Sequence, residues 1–170
     1  MAMKNYRETI NLQSQLNRPT FHDVTQEVKR IVKESGIKNG ICTVYSHHTT
    51  CSVMTQECSH DQTYWGLEYL QQDLVDIMES IIPKCRTEGQ YLHPGPEHID
   101  FAMNEAKEEG EWTSLNTDAH LRSVIFGRSE SIVIIDGELD LGQFGYIYFV
   151  DWDYIRARKR VAVVNVMGEC

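Results

Sequence analysis

Long apolar runs are missing from this chain. None approaches the ~20 residues that cross a bilayer, and the N-terminal MAMKNYRETI lacks the hydrophobic stretch of a signal peptide. Proline is scarce, at four in 170 residues, and 41% of the chain is hydrophobic, which excludes a disordered or proline-rich protein. Cysteine occurs five times, at 42, 51, 58, 85 and 170, with no C-x-x-C pair. An odd, dispersed set argues against a disulfide framework or a zinc knuckle and for reduced thiols. Lysine and arginine (16) are outnumbered by aspartate and glutamate (25), giving a net charge of −9. The positive field that nucleic acid or a membrane surface requires is therefore lacking. H-x-x-x-H and H-E-x-x-H spacings are absent too. One cytoplasmic domain over residues 1–170 is the expectation, with neither nucleic acid nor membrane as partner.

What is present reads as antiparallel strands with inserted helices. YRETINLQS alternates weakly, as an edge strand does. Phe21 to Ser35 carries a Val24, Val28, Ile31, Val32 stripe, with Asp23 as cap and Gly36 as stop. GICTVYSHH and CSVMTQE are strand-like. A helix is predicted from about Asp61 to Ile82, terminated by Pro83, and a shorter one from Pro96 to Gly110. Thr117 caps a further predicted helix over Asp118 to Phe126. SIVIID, the Asp136-Gly137 turn, GYIYFVDW and RVAVVNVM complete an α+β pattern.

The polar residues collect in a few places. SHHTTCS ends a buried strand with two imidazoles, and strand alternation sends His47 and His48 to opposite sides. His93 and His98 flank Pro-Gly-Pro, so only a turn can bring them together. In LNTDAH, Asn116, Thr117 and Asp118 precede or open a helix whose first turn holds His120. Free N–H groups there favour an anion, although capping alone explains the first three residues. Dispersed histidines beside Glu57, Glu97, Asp118 and Asp151 have the donor types of a metal site, without sequence-local spacing to fix it. DWDYIRARKR places Arg156, Arg158 and Arg160 at period two. A strand starting there presents all three on one face, suited to phosphate oxygens or to guarding a sheet edge.

Together YSHHTTCSVMTQE, LNTDAHLRSVIFG, IIDGELDLGQFGYIYF and RKRVAVVNVMGE resemble, in order, the YjbQ family, often labelled secondary thiamine-phosphate synthase. The resemblance implies a β-sandwich-like antiparallel core with helices packed on it, a homotrimer, and a histidine site able to bind a metal such as zinc. His48 corresponds to the family's H-T-T histidine, His120 to the one after Asp-Ala, and His93 to one following the long helix, with His98 as its alternative or companion. Departures include Gln56-Glu57, Phe144-Gly145 and Asp151 where the family carries other residues.

The reading that results is a metal-binding, phosphate-recognising enzyme with weak thiamine-phosphate synthase capacity. His48, His93 and His120 are its expected metal ligands, with zinc first and magnesium conceivable beside a pyrophosphate. His48, His120, Glu57 and Asp151 are the expected catalytic groups, and Asn116, Asp118, Arg158 and Arg160 the substrate contacts. The ligand is a small phosphorylated metabolite. A metal-dependent hydrolase of a phosphorylated or acyl metabolite, or a non-catalytic metal- or anion-binding trimer, are the alternatives.

Overall fold

The computed structural model describes residues 3–105 and 115–170. In chain order the elements are β1 (Met3–Gln13), β2 (Thr20–Asp23), α1 (Thr25–Ser35), β3 (Asn39–Ser46), β4 (Cys51–Glu57), α2 (Tyr69–Ile81), α3 (Pro96–Glu105), α4 (Thr117–Phe126), β5 (Ser129–Ile135), β6 (Glu138–Leu139), β7 (Gly145–Asp151) and β8 (Lys159–Glu169). They form two antiparallel sheets: five strands in the order β1-β8-β3-β5-β6, and three in the order β2-β7-β4.

Period-two alternation sets the layers. Cys42 and Val44 of β3, Ile132 and Ile134 of β5, and Val164 and Val166 of β8 point inward and are buried. They meet Val53, Ile147 and Phe149 of the small sheet and the Val28, Ile31, Val32 stripe of α1 in one core. Tyr148 and Val150, the other parity of β7, join a second core with Trp152, Val75 of α2 and Ala119 of α4. β7 is thus covered on both faces, which is why GYIYFVDW reads as a continuous apolar run. The edge-strand reading of β1 holds. Gly40 and Gly168 lie opposite each other in the β3–β8 ladder, where a Cβ on either would come within 2.2 Å of a carbonyl oxygen.

Several boundaries moved. The helix predicted from Phe21 begins at Thr25, because residues 20–23 pair with β7 instead. Asp23 still serves its start, accepting the Thr25 N–H at 2.9 Å. The helix predicted from Asp61 begins at Tyr69. Residues before it fold back through a Gln62–Glu68 bridge, and Glu68 forms a capping box with Gln71. The expected end of the third helix at Gly110 lies outside the described residues. Asn116, not Thr117, occupies the cap position of α4. The two-residue turn at Asp136-Gly137 has positive φ at both positions, 54° and 86°.

Candidate functional site

One end of the small sheet gathers most of the polar residues singled out above. β7 delivers Asp151 opposite Cys51, at the start of β4. β8 delivers Arg160 on its inward parity, in line with Ala162 and Val164. Their side chains meet in a two-pronged ion pair: Arg160 Nε donates to Asp151 Oδ2 at 2.6 Å and Nη2 to Oδ1 at 3.2 Å. Nη2 also donates to Thr50 Oγ1 at 3.2 Å. Asp151 is fully buried and Arg160 only 5% exposed.

From this anchor the chain turns back through D-W-D. Asp151 Oδ1 accepts the Asp153 N–H at 3.0 Å, and Asp153 Oδ1 accepts the Ile155 N–H at 3.1 Å. Two successive aspartate turns of this kind carry the loop to β8. Asp153 Oδ2 accepts from Asn116 Nδ2 at 3.1 Å and pairs with Arg158 Nη2 at 3.3 Å. The strand begins only at Lys159, so Arg156 and Arg158 sit in the loop and the common face expected for the three arginines does not form. Arg160 is committed to Asp151, while Arg158, half-buried in the loop, pairs with Asp153. Asp151, expected as a catalytic base, is instead the buried anchor, since both its oxygens are occupied.

His48 is half-buried and His47 exposed, but β3 ends before them and their rings lie 4.2 Å apart, so strand alternation does not send them to opposite sides. Nε2 of His48 accepts the Val161 N–H at 3.1 Å. The last β3–β8 pair is Ser46 with Ala162, so the imidazole takes the next strand donor after the partner strand has ended. With that bond in place, Nε2 is withdrawn from metal ligation and a neutral ring carries its proton on Nδ1. Burial, then Arg160 and His47, push His48 down to about 4. Because the folded ring resists protonation, its contribution to stability is complete above the ordinary histidine range and is lost as pH falls through about 4. The thermal midpoint should fall between pH 6.5 and 4, and fall less in His48→Gln; parallel pH profiles in scanning calorimetry would exclude this role.

The other histidines converge. The rings of His93 and His98 are 4.6 Å apart, and those of His93 and His120 5.5 Å. Thr117 Oγ1 gives its single proton to the His93 carbonyl oxygen at 2.7 Å, so the 2.8 Å contact from His93 Nδ1 to the same hydroxyl is made by an imidazole N–H. Nε2 of His93 therefore carries the lone pair. Burial, reinforced by His98 and His120, holds His93 below the usual histidine range. Burial does the same to His120, opposed by a hydrogen bond to the Thr49 backbone and by Asp153. The positive charge of Arg158 adds to the lowering of both His48 and His120.

Two expected residues lie elsewhere. Glu57 is at the far end of β4, six residues from Cys51 and so about 20 Å along the strand, and it is exposed. Asp118 is turned beneath the site. It is fully buried, accepts the Cys85 N–H at 3.2 Å and faces Arg122 at 3.6 Å. Burial raises its carboxyl, opposed by the Cys85 N–H and Arg122. Asn116 is 8% exposed and spends its amide on Asp153, so it orders the site without reaching a ligand. Thr50, Thr117 and Asp153 were not singled out as site residues, although the D-W-D spacing signalled consecutive aspartate turns.

A metal was expected on His48, His93 and His120. Among the described residues, no group of three or more His, Cys, Asp or Glu is arranged to hold one. His93 and His120 nonetheless each tie one ring N–H to protein oxygen, Thr117 Oγ1 and the Thr49 backbone, the orienting bond that metal-bound imidazoles carry. His93, His98 and His120 lie together without forming such a group. His48 does not belong to that set.

A sequence profile described as UPF0047 protein YjbQ-like matches residues 8–169. The chain belongs to the YjbQ/UPF0047 family. A UPF0047 protein of Methanothermobacter thermautotrophicus is 28% identical over 144 residues, covering 84% of this chain and 81% of its own. The UPF0047 protein YugU of Bacillus subtilis is 26% identical, covering 86% and 88%. A crystal structure of a YbjQ-like protein of unknown function from Sulfolobus solfataricus P2 superposes with a TM-score of 0.73 at 24% identity, covering 99% of this chain and all of that one. A hypothetical protein from Aeropyrum pernix K1 gives 0.69 at 26%, covering 95% and 99%. The YjbQ-like fold is thus common to these proteins. No helix among the described residues is long and apolar enough to cross a membrane.

Proposed function

We propose that this end of the small sheet binds a small phosphorylated metabolite and acts on its phosphate. The observation that carries the reading is Arg158, paired at 3.3 Å with Asp153, which also accepts the amide of Asn116 at the start of the helix that holds His120. A guanidinium near a helix N-terminus and neutral imidazoles suits phosphate oxygens. His93 and His120, with His98 adjacent, are the donors for a divalent metal, zinc before magnesium because imidazole prefers the softer ion. Such a metal would neutralise charge on a leaving phosphate or pyrophosphate. Arg158 positions that group, and burial keeps His93 and His120 neutral, the form that can ligate a metal. The secondary thiamine-phosphate synthase activity suggested by the family label is one transfer of this kind, with pyrophosphate as leaving group. Calorimetric titration with pyrophosphate, with and without zinc, tests the site.

We further propose a homotrimer. Ile41, Val133, Ile135 and Met167 lie on the outer face of the five-stranded sheet and are each 47–52% exposed. Ile41 pairs directly with Val133 on one side and Met167 on the other, so the apolar row is continuous across three strands. Light scattering should give about three chain masses, and Ile41→Asp should reduce it. A parent chain that is monomeric at micromolar concentration would reject the assembly.

A further inference from the structure

At the far end of β4 the chain leaves the small sheet at Cys58, and a second cluster of reactive groups forms there. Cys58 Sγ lies 3.5 Å from Nδ1 of His60. His60 adopts φ of 63°, a left-handed conformation uncommon outside glycine, within the turn that brings its ring back to the thiol two residues earlier. From β7, Tyr148 is 1% exposed and donates its hydroxyl proton to Glu68 Oε1 at 2.6 Å. The same hydroxyl is paired with the Cys58 thiol.

The thiol proton of Cys58 has His60 Nδ1 as an acceptor within reach. Glu68 is itself fixed, taking the Ser59 N–H at 2.8 Å and Gln71 Nε2 at 3.1 Å. His60, Tyr148 and Glu68 are the titratable groups that face the thiol. The other cysteines differ. Cys42, Cys51 and Cys85 are buried, and burial pushes the Cys42 thiol up to about 12. Cys170 is exposed. Cys58 combines partial exposure with an adjacent base.

We propose that Cys58 is a reactive thiol, with His60 as its base, and a site of reversible modification by low-molecular-weight disulfides. The Cys58 S–H proton passes to His60 Nδ1, and the thiolate attacks one sulfur of R–S–S–R. The Cys58 S–S–R bond forms as the reagent's S–S bond breaks. The departing RS⁻ takes the proton back from His60 and leaves as RSH. Cys58 is oxidised to a mixed disulfide, and half of the reagent is reduced to thiol.

Cys170 provides an internal reference. The full chain is treated with oxidised glutathione near neutral pH, quenched at intervals and mapped by peptide mass spectrometry. Cys58 should be modified about tenfold faster than Cys170. His60→Asn tolerates the left-handed backbone but supplies no base. It should bring the Cys58 rate down to that of Cys170 and leave Cys170 unchanged, with the thermal midpoint held as evidence of an intact fold. Modification of Cys58 no faster than Cys170, or a Cys58 rate unaffected by His60→Asn, overturns the proposal.

Discussion

Replacing Arg160 by Ala is expected to destabilise the folded chain by about 3–5 kcal/mol, the usual cost of stranding one partner of a buried ion pair. In a domain of this size that lowers the thermal midpoint by roughly 6–20 °C. Asp151 is fully buried and holds Arg160 through both oxygens. Without the guanidinium its charge has only the Asp153 N–H for compensation among these bonds. Thr50 loses a partner as well. Arg160→Lys should recover part of the loss, because an ammonium restores the charge but cannot reproduce the two-pronged geometry. Lys159→Ala, with its exposed side chain one residue earlier on the opposite parity, should leave the midpoint unchanged within about 0.5 kcal/mol. Thermal unfolding of the three variants distinguishes an anchor from a ligand-binding arginine. An Arg160→Ala protein as stable as its parent would refute the anchoring role.

Arg158→Ala should give the reverse pattern: a loss of anion affinity of about tenfold or more, with a smaller loss of stability. A charge-assisted hydrogen bond to phosphate is worth roughly 1.5–3 kcal/mol, and about 1.4 kcal/mol is tenfold in affinity. The side chain is 19% exposed, whereas its partner Asp153 is fully buried and keeps the Asn116 amide when the arginine is removed. The substitution therefore takes away a largely buried cation, but the Asn116 amide and the Ile155 N–H still compensate Asp153.

The layers of this fold were legible because they depend on alternation and helical stripes, which are local. The inward parity of β5 and β8 and the apolar stripe of α1 could be read directly. Residues 61–68 could not, because their departure from helix depends on Glu68 meeting Tyr148, a contact spanning 80 residues. The site was legible in composition but not in roles. The motifs pointed to His48, His93 and His120, yet sequence could not show that a strand N–H would occupy Nε2 of His48. Nor could it show that Asp118 would turn toward Cys85. The period-two spacing of Arg156, Arg158 and Arg160 misled because it assumed a strand where two aspartate turns form a loop. Glu57 was misplaced because a strand puts its two ends a full length apart, whatever motif contains both.

The most direct test of the central claim is calorimetric titration of pyrophosphate into the parent, Arg158→Ala and Lys159→Ala proteins, each with and without zinc. Parent and Lys159→Ala should bind alike, and Arg158→Ala about tenfold or more weakly. Equal affinity in all three, or no binding by the parent in either condition, would contradict a phosphate site at this end of the sheet.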